Sequence, residues 1–114
     1  MLHEAFATLI DALREACQAH YGERLVSLCV FGSVARRTQR FDSDLDCLLV
    51  VRDLPPGRMR RVDEFEAVEA RLAPLLEALG HQGVTTHLSP VFKTPQEEVP
   101  RRGRGSEWNT LAAR

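Results

Sequence analysis

Apolar positions in the first twenty residues recur with helical spacing. Leu2, Phe6, Leu9, Ile10, Leu13 and Cys17 share one side, while Glu4, Asp11, Arg14, Glu15 and Gln18 point elsewhere. This predicts a helix over 2–20, stopped by Gly22. The run from Leu25 to Phe31 (LVSLCVF) then reads as a buried strand, broken by Gly32. Ser33 to Arg37 predicts one helical turn capped by Ser33, and Thr38 to Ser43 a polar loop. Leu45 to Val51 (LDCLLVV) is nearly all apolar, which predicts a central strand covered on both faces.

The second half is more broken. Asp53 to Gly57, with Pro55-Pro56, reads as a connection. Arg58 to Leu79 predicts a helix with Val62, Phe65, Val68, Leu72, Leu75, Leu76 and Leu79 roughly on one side. Pro74 inside it predicts a kink or a break into two pieces. Gly80 and Gly83 flank a turn, and Val84 to Val91 reads as a third strand. Thr94-Pro95-Gln96-Glu97-Glu98 has the make-up of a helix start, with Pro100 ending it early. From Arg101 onward the chain lacks the apolar pattern of a packed terminal strand, which leaves a sheet edge open. The expected organisation is one domain over 1–100 and a basic, flexible tail over 101–114. The order helix, strand, strand, helix, strand predicts an α/β (α+β) fold, a small mixed sheet with flanking helices.

Composition adds limits. At 114 residues, 44% hydrophobic and 27% charged, the chain suits one small globular domain. The net charge of −1 gives no global argument for nucleic-acid binding, although Arg101, Arg102, Arg104 and Arg114 face only Glu107 in the tail. Those arginines with Trp108 are the one feature that could contact a nucleic acid. The three cysteines, Cys17, Cys29 and Cys47, have no metal-binding spacing and read as small buried hydrophobes in a reducing compartment. No membrane-length apolar segment or signal peptide is visible, so the expected location is the cytoplasm, with no membrane partner.

The candidate chemistry lies between the first two strands. Gly32 allows a phosphate to approach the backbone, and the helical turn after it offers free N–H groups and the Ser33 hydroxyl. After Ser33 come ten residues, then Asp44-Leu45-Asp46. Side chains two apart on a strand share a face, so these carboxylates can converge on magnesium, a hard ion that prefers oxygen. Either element alone is commonplace: a capped turn, or a solvated acidic pair. Together they place a phosphate grip and a metal grip at neighbouring strand ends.

In this combination the chain resembles the DNA polymerase β-like nucleotidyltransferase superfamily, in particular its minimal (MNT-type) members. Gly32-Ser33 and Asp44-Leu45-Asp46 match that signature at the same spacing, and the order of elements fits over residues 1–92. The resemblance implies a nucleotidyltransferase fold and transfer of a nucleoside monophosphate from an NTP, ATP being the expected one, to a hydroxyl acceptor. Asp44 and Asp46 would hold magnesium. Gly32 and Ser33 would bind the triphosphate, with Arg36, Arg37 and Arg40 placed to neutralise its charge.

The third strand departs from the pattern. Active members of the superfamily usually carry a third carboxylate there, and Gly83-Val84-Thr85-Thr86-His87-Leu88-Ser89 has none. Thr85, His87 and Ser89 share a face, and His87 is the candidate general base in place of the missing acid, against the plainer reading of an ordinary strand histidine. Two functions are therefore carried forward. One is a minimal nucleotidyltransferase acting on a hydroxyl acceptor, such as a HEPN-type partner protein in a toxin–antitoxin pair. The other is a catalytically weak or inactive nucleotide-binding module, antitoxin-like, that works by contact alone.

Overall fold

The two apolar runs pair with each other. In the computed structural model, which describes residues 2–97 and the backbone of 109–111, they form strands β1 (Leu25–Phe31) and β2 (Leu45–Val51). The pair is antiparallel, with Leu28 opposite Leu49, Val30 opposite Cys47 and Phe31 opposite Asp46. The register shifts between Leu25 and Ser27, a bulge at Val26 that re-phases the strand. A third strand, β3 (Leu88–Lys93), runs parallel to β2 on its other side. A short strand, β4 (Asn109–Leu111), pairs antiparallel with β1, giving the order β3-β2-β1-β4. The sheet is small and mixed, as the element order predicts.

Alternation along β2 divides its side chains between two layers. Leu45, Cys47, Leu49 and Val51 join the main core, while Leu48 and Val50 belong to a second apolar cluster with Cys29, Val26 and Phe31. Apart from Asp46, β2 buries its side chains on both faces, which explains why its sequence reads as nearly all apolar. The main core is completed by two helices, α1 (Leu2–Tyr21) and α3 (Arg58–His81). α1 buries Phe6, Leu9, Leu13, Ala16, Cys17 and Tyr21; α3 buries Phe65, Val68, Leu72 and Leu79. Phe65 meets Phe92 of β3 edge to face, with centroids 5.3 Å apart, an arrangement favoured by the ring quadrupoles. All three cysteines are buried, and none forms a disulfide among the described residues. Burial pushes the Cys17 thiol up to about 12 and the Cys47 thiol up as well, so both behave as apolar filler.

Four details differ from the sequence expectation. α3 runs unbroken through Pro74, because this exposed position lies within a helix anchored by Phe65, Val68, Leu72 and Leu79. The third strand begins at Leu88 rather than Val84. α3 extends to His81 and ends with Gly83 at φ +91, while Val84 N–H bonds the Leu79 carbonyl at 2.9 Å and Gly83 N–H the Gly80 carbonyl at 3.0 Å. That terminal motif consumes residues 82–84, so no strand can start there. The expected helix start at Thr94 is a turn: Glu97 N–H reaches the Thr94 carbonyl at 3.0 Å, and the Glu97 carboxylate accepts the Thr94 N–H at 2.8 Å. Glu98, Pro100 and the expected tail residues up to Trp108 lie outside the described residues, but 109–111 form β4 on an edge that the sequence pattern leaves open.

The outer edge of β3 is blunted. The Leu45 N–H bonds the His87 carbonyl at 2.9 Å, which sets the phase of the parallel ladder so that residues 87, 89, 91 and 93 bond inward to β2. Pro90 therefore presents its missing N–H outward, where a proline is tolerated. The Phe92 carbonyl, on the same outward phase, is taken by Arg61 Nη1 at 3.2 Å. Both devices discourage another strand from pairing there.

Candidate functional site

Antiparallel pairing brings the end of β1 and the start of β2 to the same end of the sheet, with Phe31 opposite Asp46. Gly32 follows at once with φ +77. A Cβ at this position would collide with the Asp46 carboxylate. The bend and the acid can approach this closely only because residue 32 has no side chain. The two motifs thus lie at neighbouring strand ends, as the sequence predicts, and the contact between them is closer than the sequence alone implies.

Ser33 lies in the single helical turn α2 (Gly32–Ala35), whose one buried side chain is Val34. The turn is closed by Arg37 in the left-handed region, φ 61, with Arg37 N–H on the Val34 carbonyl at 3.1 Å and Thr38 N–H on the Ser33 carbonyl at 2.9 Å. This is the two-bond terminal motif usually completed by glycine, here with an arginine held in its place. The first N–H groups of such a turn have no acceptor within it and point out of its start. Arg36 and Arg37 are exposed at the other end of the turn. Arg37 borders a cleft with His3, Phe6, Ile10 and Gln39, which puts it on the side of the sheet that carries α1. Arg40 faces Asp42 at 4.0 Å in the exposed loop, whose Ser43 hydroxyl accepts the Arg40 N–H at 2.8 Å.

Asp46 alternates with Leu45 and Cys47, so it belongs to the face opposite the helices, with Leu48 and Val50. Asp44 precedes the strand in the same phase. On the far side of β2, two hydrogen bonds tie the approach to β3 to the approach to β2: Leu45 N–H to the His87 carbonyl at 2.9 Å, and Thr85 N–H to the Phe41 carbonyl at 2.8 Å. They deliver His87 to Asp44, with Nδ1 3.7 Å from Oδ1. Both side chains are open to water, at 83% and 55% exposure, so the contact contributes little to stability and its interest is positional. Ser89 pairs in register with Asp46. In-register neighbours face the same way, so Asp44, Asp46, His87 and Ser89 share one face at one end of the sheet. Thr85, expected on that face within a strand, instead precedes β3 and is held by Phe41. Phe41 itself, 55% exposed beside this end, carried no sequence signal beyond an apolar residue in a polar loop.

The donor set fits magnesium in one mode. Asp44 and Asp46 supply carboxylate oxygens, and among the described residues no three His, Cys, Asp or Glu side chains gather as a metal cage. Magnesium ordinarily binds through one or two carboxylates, keeps several waters and shares substrate phosphates, so two acids beside a glycine bend suit it. Imidazole suits it poorly, which sets His87 apart from the two carboxylates as a ligand for such an ion.

Comparison with known proteins identifies the family. Residues 1–90 match the family described as "Putative nucleotidyltransferase DUF294". Over 89 residues the chain is 29% identical to a protein of Methanocaldococcus jannaschii named "Putative protein adenylyltransferase MJ1305". The alignment covers 78% of this chain and 55% of that relative, so the chain spans about half the relative's length. No solved structure gives a significant match. Among the described residues, no helix is long and apolar enough to cross a membrane.

Proposed function

This chain belongs to the nucleotidyltransferase family that its first ninety residues match, and we propose that it transfers AMP from ATP to a hydroxyl group of a partner protein. The supporting observation is the contact between Gly32 and the Asp46 carboxylate, which sets a phosphate-accepting bend against a metal-holding pair. Asp44 and Asp46 would hold magnesium; when bound, it supplies positive charge against the triphosphate and the departing pyrophosphate. Gly32 admits the phosphate oxygens to the backbone N–H groups of the bend, and the Ser33 hydroxyl donates to them. Arg36 adds positive charge at the far end of the same turn, whereas Arg37 borders the α1 cleft on the other side of the sheet.

In the reaction, the acceptor oxygen bonds to the α-phosphorus while the bond from that phosphorus to its bridging oxygen breaks. Pyrophosphate leaves with the electron pair, and the acceptor's proton passes to His87, whose ring lies 3.7 Å from Asp44. The name of the archaeal relative, which speaks of protein adenylylation, supports a protein as acceptor. A helical HEPN-type ribonuclease, as in toxin–antitoxin pairs, is the partner we propose.

The test is to incubate the chain with labelled ATP, magnesium and the candidate partner, and to weigh the partner by mass spectrometry. We expect an AMP adduct that disappears with Asp44→Asn/Asp46→Asn. A second reading is favoured by one observation: among the described residues no third acidic side chain gathers with Asp44 and Asp46. There the chain would bind nucleotide and restrain its partner by contact. Restraint of the partner that survives the double change, with no adduct at any time, decides for that reading.

A further inference from the structure

The metal-holding face has a third oxygen-bearing side chain beside it. Ser89 is the register partner of Asp46 on the neighbouring parallel strand, and its side chain shares the face of Asp44 and Asp46. Neighbouring strands lie roughly 4.8 Å apart, so the hydroxyl and the carboxylate are within reach of one small ion. Among the described residues the Ser89 hydroxyl makes no hydrogen bond. The residue is also stiffened: Pro90 confines the residue before it to extended backbone, and the ladder bonds Ser89 inward to β2.

The two sides of Asp46 are not equivalent. Gly32 closes against its carboxylate from the β1 side, and Ser89 flanks it from the β3 side. His87 is drawn to Asp44, not Asp46. An ion held by the acids therefore meets backbone and phosphate on one side and a hydroxyl on the other. Hydroxyl oxygens of serine or threonine are established magnesium ligands in phosphate-handling sites, whereas imidazole is a poor one.

We infer that Ser89 is a metal-binding residue of this chain, its neutral hydroxyl serving as the third protein oxygen beside Asp44 and Asp46. The inference rests on the nucleotidyltransferase reading of the site. It carries a consequence for charge. A hydroxyl in this position leaves the site one negative charge poorer than three acids would, so the chain depends more on the incoming triphosphate to retain its ion.

The test uses the full chain and manganese alone as the probe, with free ion read by electron paramagnetic resonance. Ser89→Ala is expected to weaken manganese binding by about tenfold, in line with loss of a supporting ligand group. Ser89→Thr, which keeps the hydroxyl and suits a strand, should bind as the unaltered chain does. Ser89→Asp should bind about tenfold more tightly or better, since it adds a charge at short range. Unchanged binding by Ser89→Ala overturns the inference, whatever Ser89→Asp does, and leaves the two acids as the metal site. Loss of binding in Ser89→Thr as great as in Ser89→Ala also overturns it, because structure rather than the oxygen is then at stake. If the unaltered chain takes up no manganese and Asp46→Asn is indistinguishable from it, the metal reading of the whole site falls, and this inference with it.

Discussion

A single hydrogen atom at residue 32 separates a working bend from a steric clash. Gly22 and Gly32 both have left-handed φ, +60 and +77, yet only Gly32 has a neighbour where a Cβ would go. An alanine at either position takes on the left-handed penalty, about 1–2 kcal/mol. At Gly32 the Asp46 carboxylate must also move. Gly22→Ala should therefore lower stability by about 1 kcal/mol and leave nucleotide binding intact. Gly32→Ala should cost about 1–3 kcal/mol and abolish ATP binding. Urea midpoints and calorimetric titration with ATP and magnesium measure the two effects separately. Equal loss of ATP binding in both variants would show that the carboxylate contact is irrelevant.

At the scale of elements, the turn after β3 is fastened to α3 by a single arginine. Arg61 is only 12% exposed and directs Nε to the Pro55 carbonyl at 2.7 Å and both terminal nitrogens to Glu97 at 3.0 Å. The same carboxylate accepts the Thr94 N–H at 2.8 Å. Hydrogen bonds from Arg61, then from Thr94, hold the Glu97 carboxyl at about 2, down from its ordinary 4.5. A depressed carboxyl stabilises the fold fully above its ordinary value and loses that contribution as pH falls through its folded value. Melting temperature should thus drop between pH 4.5 and about 2, and Glu97→Gln should flatten that segment of the curve. Glu97 is 39% exposed, so water screens the pair and the effect is expected to be modest. A profile unchanged by the substitution would assign the acid loss to other carboxylates.

For the whole molecule, the sheet is finished by a strand that the sequence pattern leaves unmarked. Three residues, 109–111, pair with Leu28, Cys29 and Val30 and cover part of the outer edge of β1. Without them that edge presents unpaired N–H and C=O groups, a template for another chain. A chain ending at Glu97 should keep ATP binding, because Gly32, Asp44 and Asp46 precede that point, but should self-associate at high concentration. Light scattering checks the second outcome and calorimetry the first. A monodisperse truncated chain would mean that β4 contributes nothing to guarding the edge.

The sequence by itself determined the elements whose apolar spacing is dense: α1, β1, β2 and the body of α3. It also placed a glycine bend and two acids at neighbouring strand ends, because one motif closes the first apolar run and the other opens the second. Where local signals compete, the structure decided. Pro74 argued for a kink or a break; the break does not occur, because side chains anchored on both sides of it outweigh one lost backbone bond. Val84 looked like strand, but the Gly83 terminal motif claims it and moves β3 to Leu88. The register of β3 on β2 is a non-local choice, and with it came the partners His87 to Asp44 and Ser89 to Asp46. No spacing along one chain encodes which residue of a distant strand will stand opposite another; the backbone bonds Leu45 to His87 and Thr85 to Phe41, with Phe65 of α3 packed on Phe92, accompany that alignment.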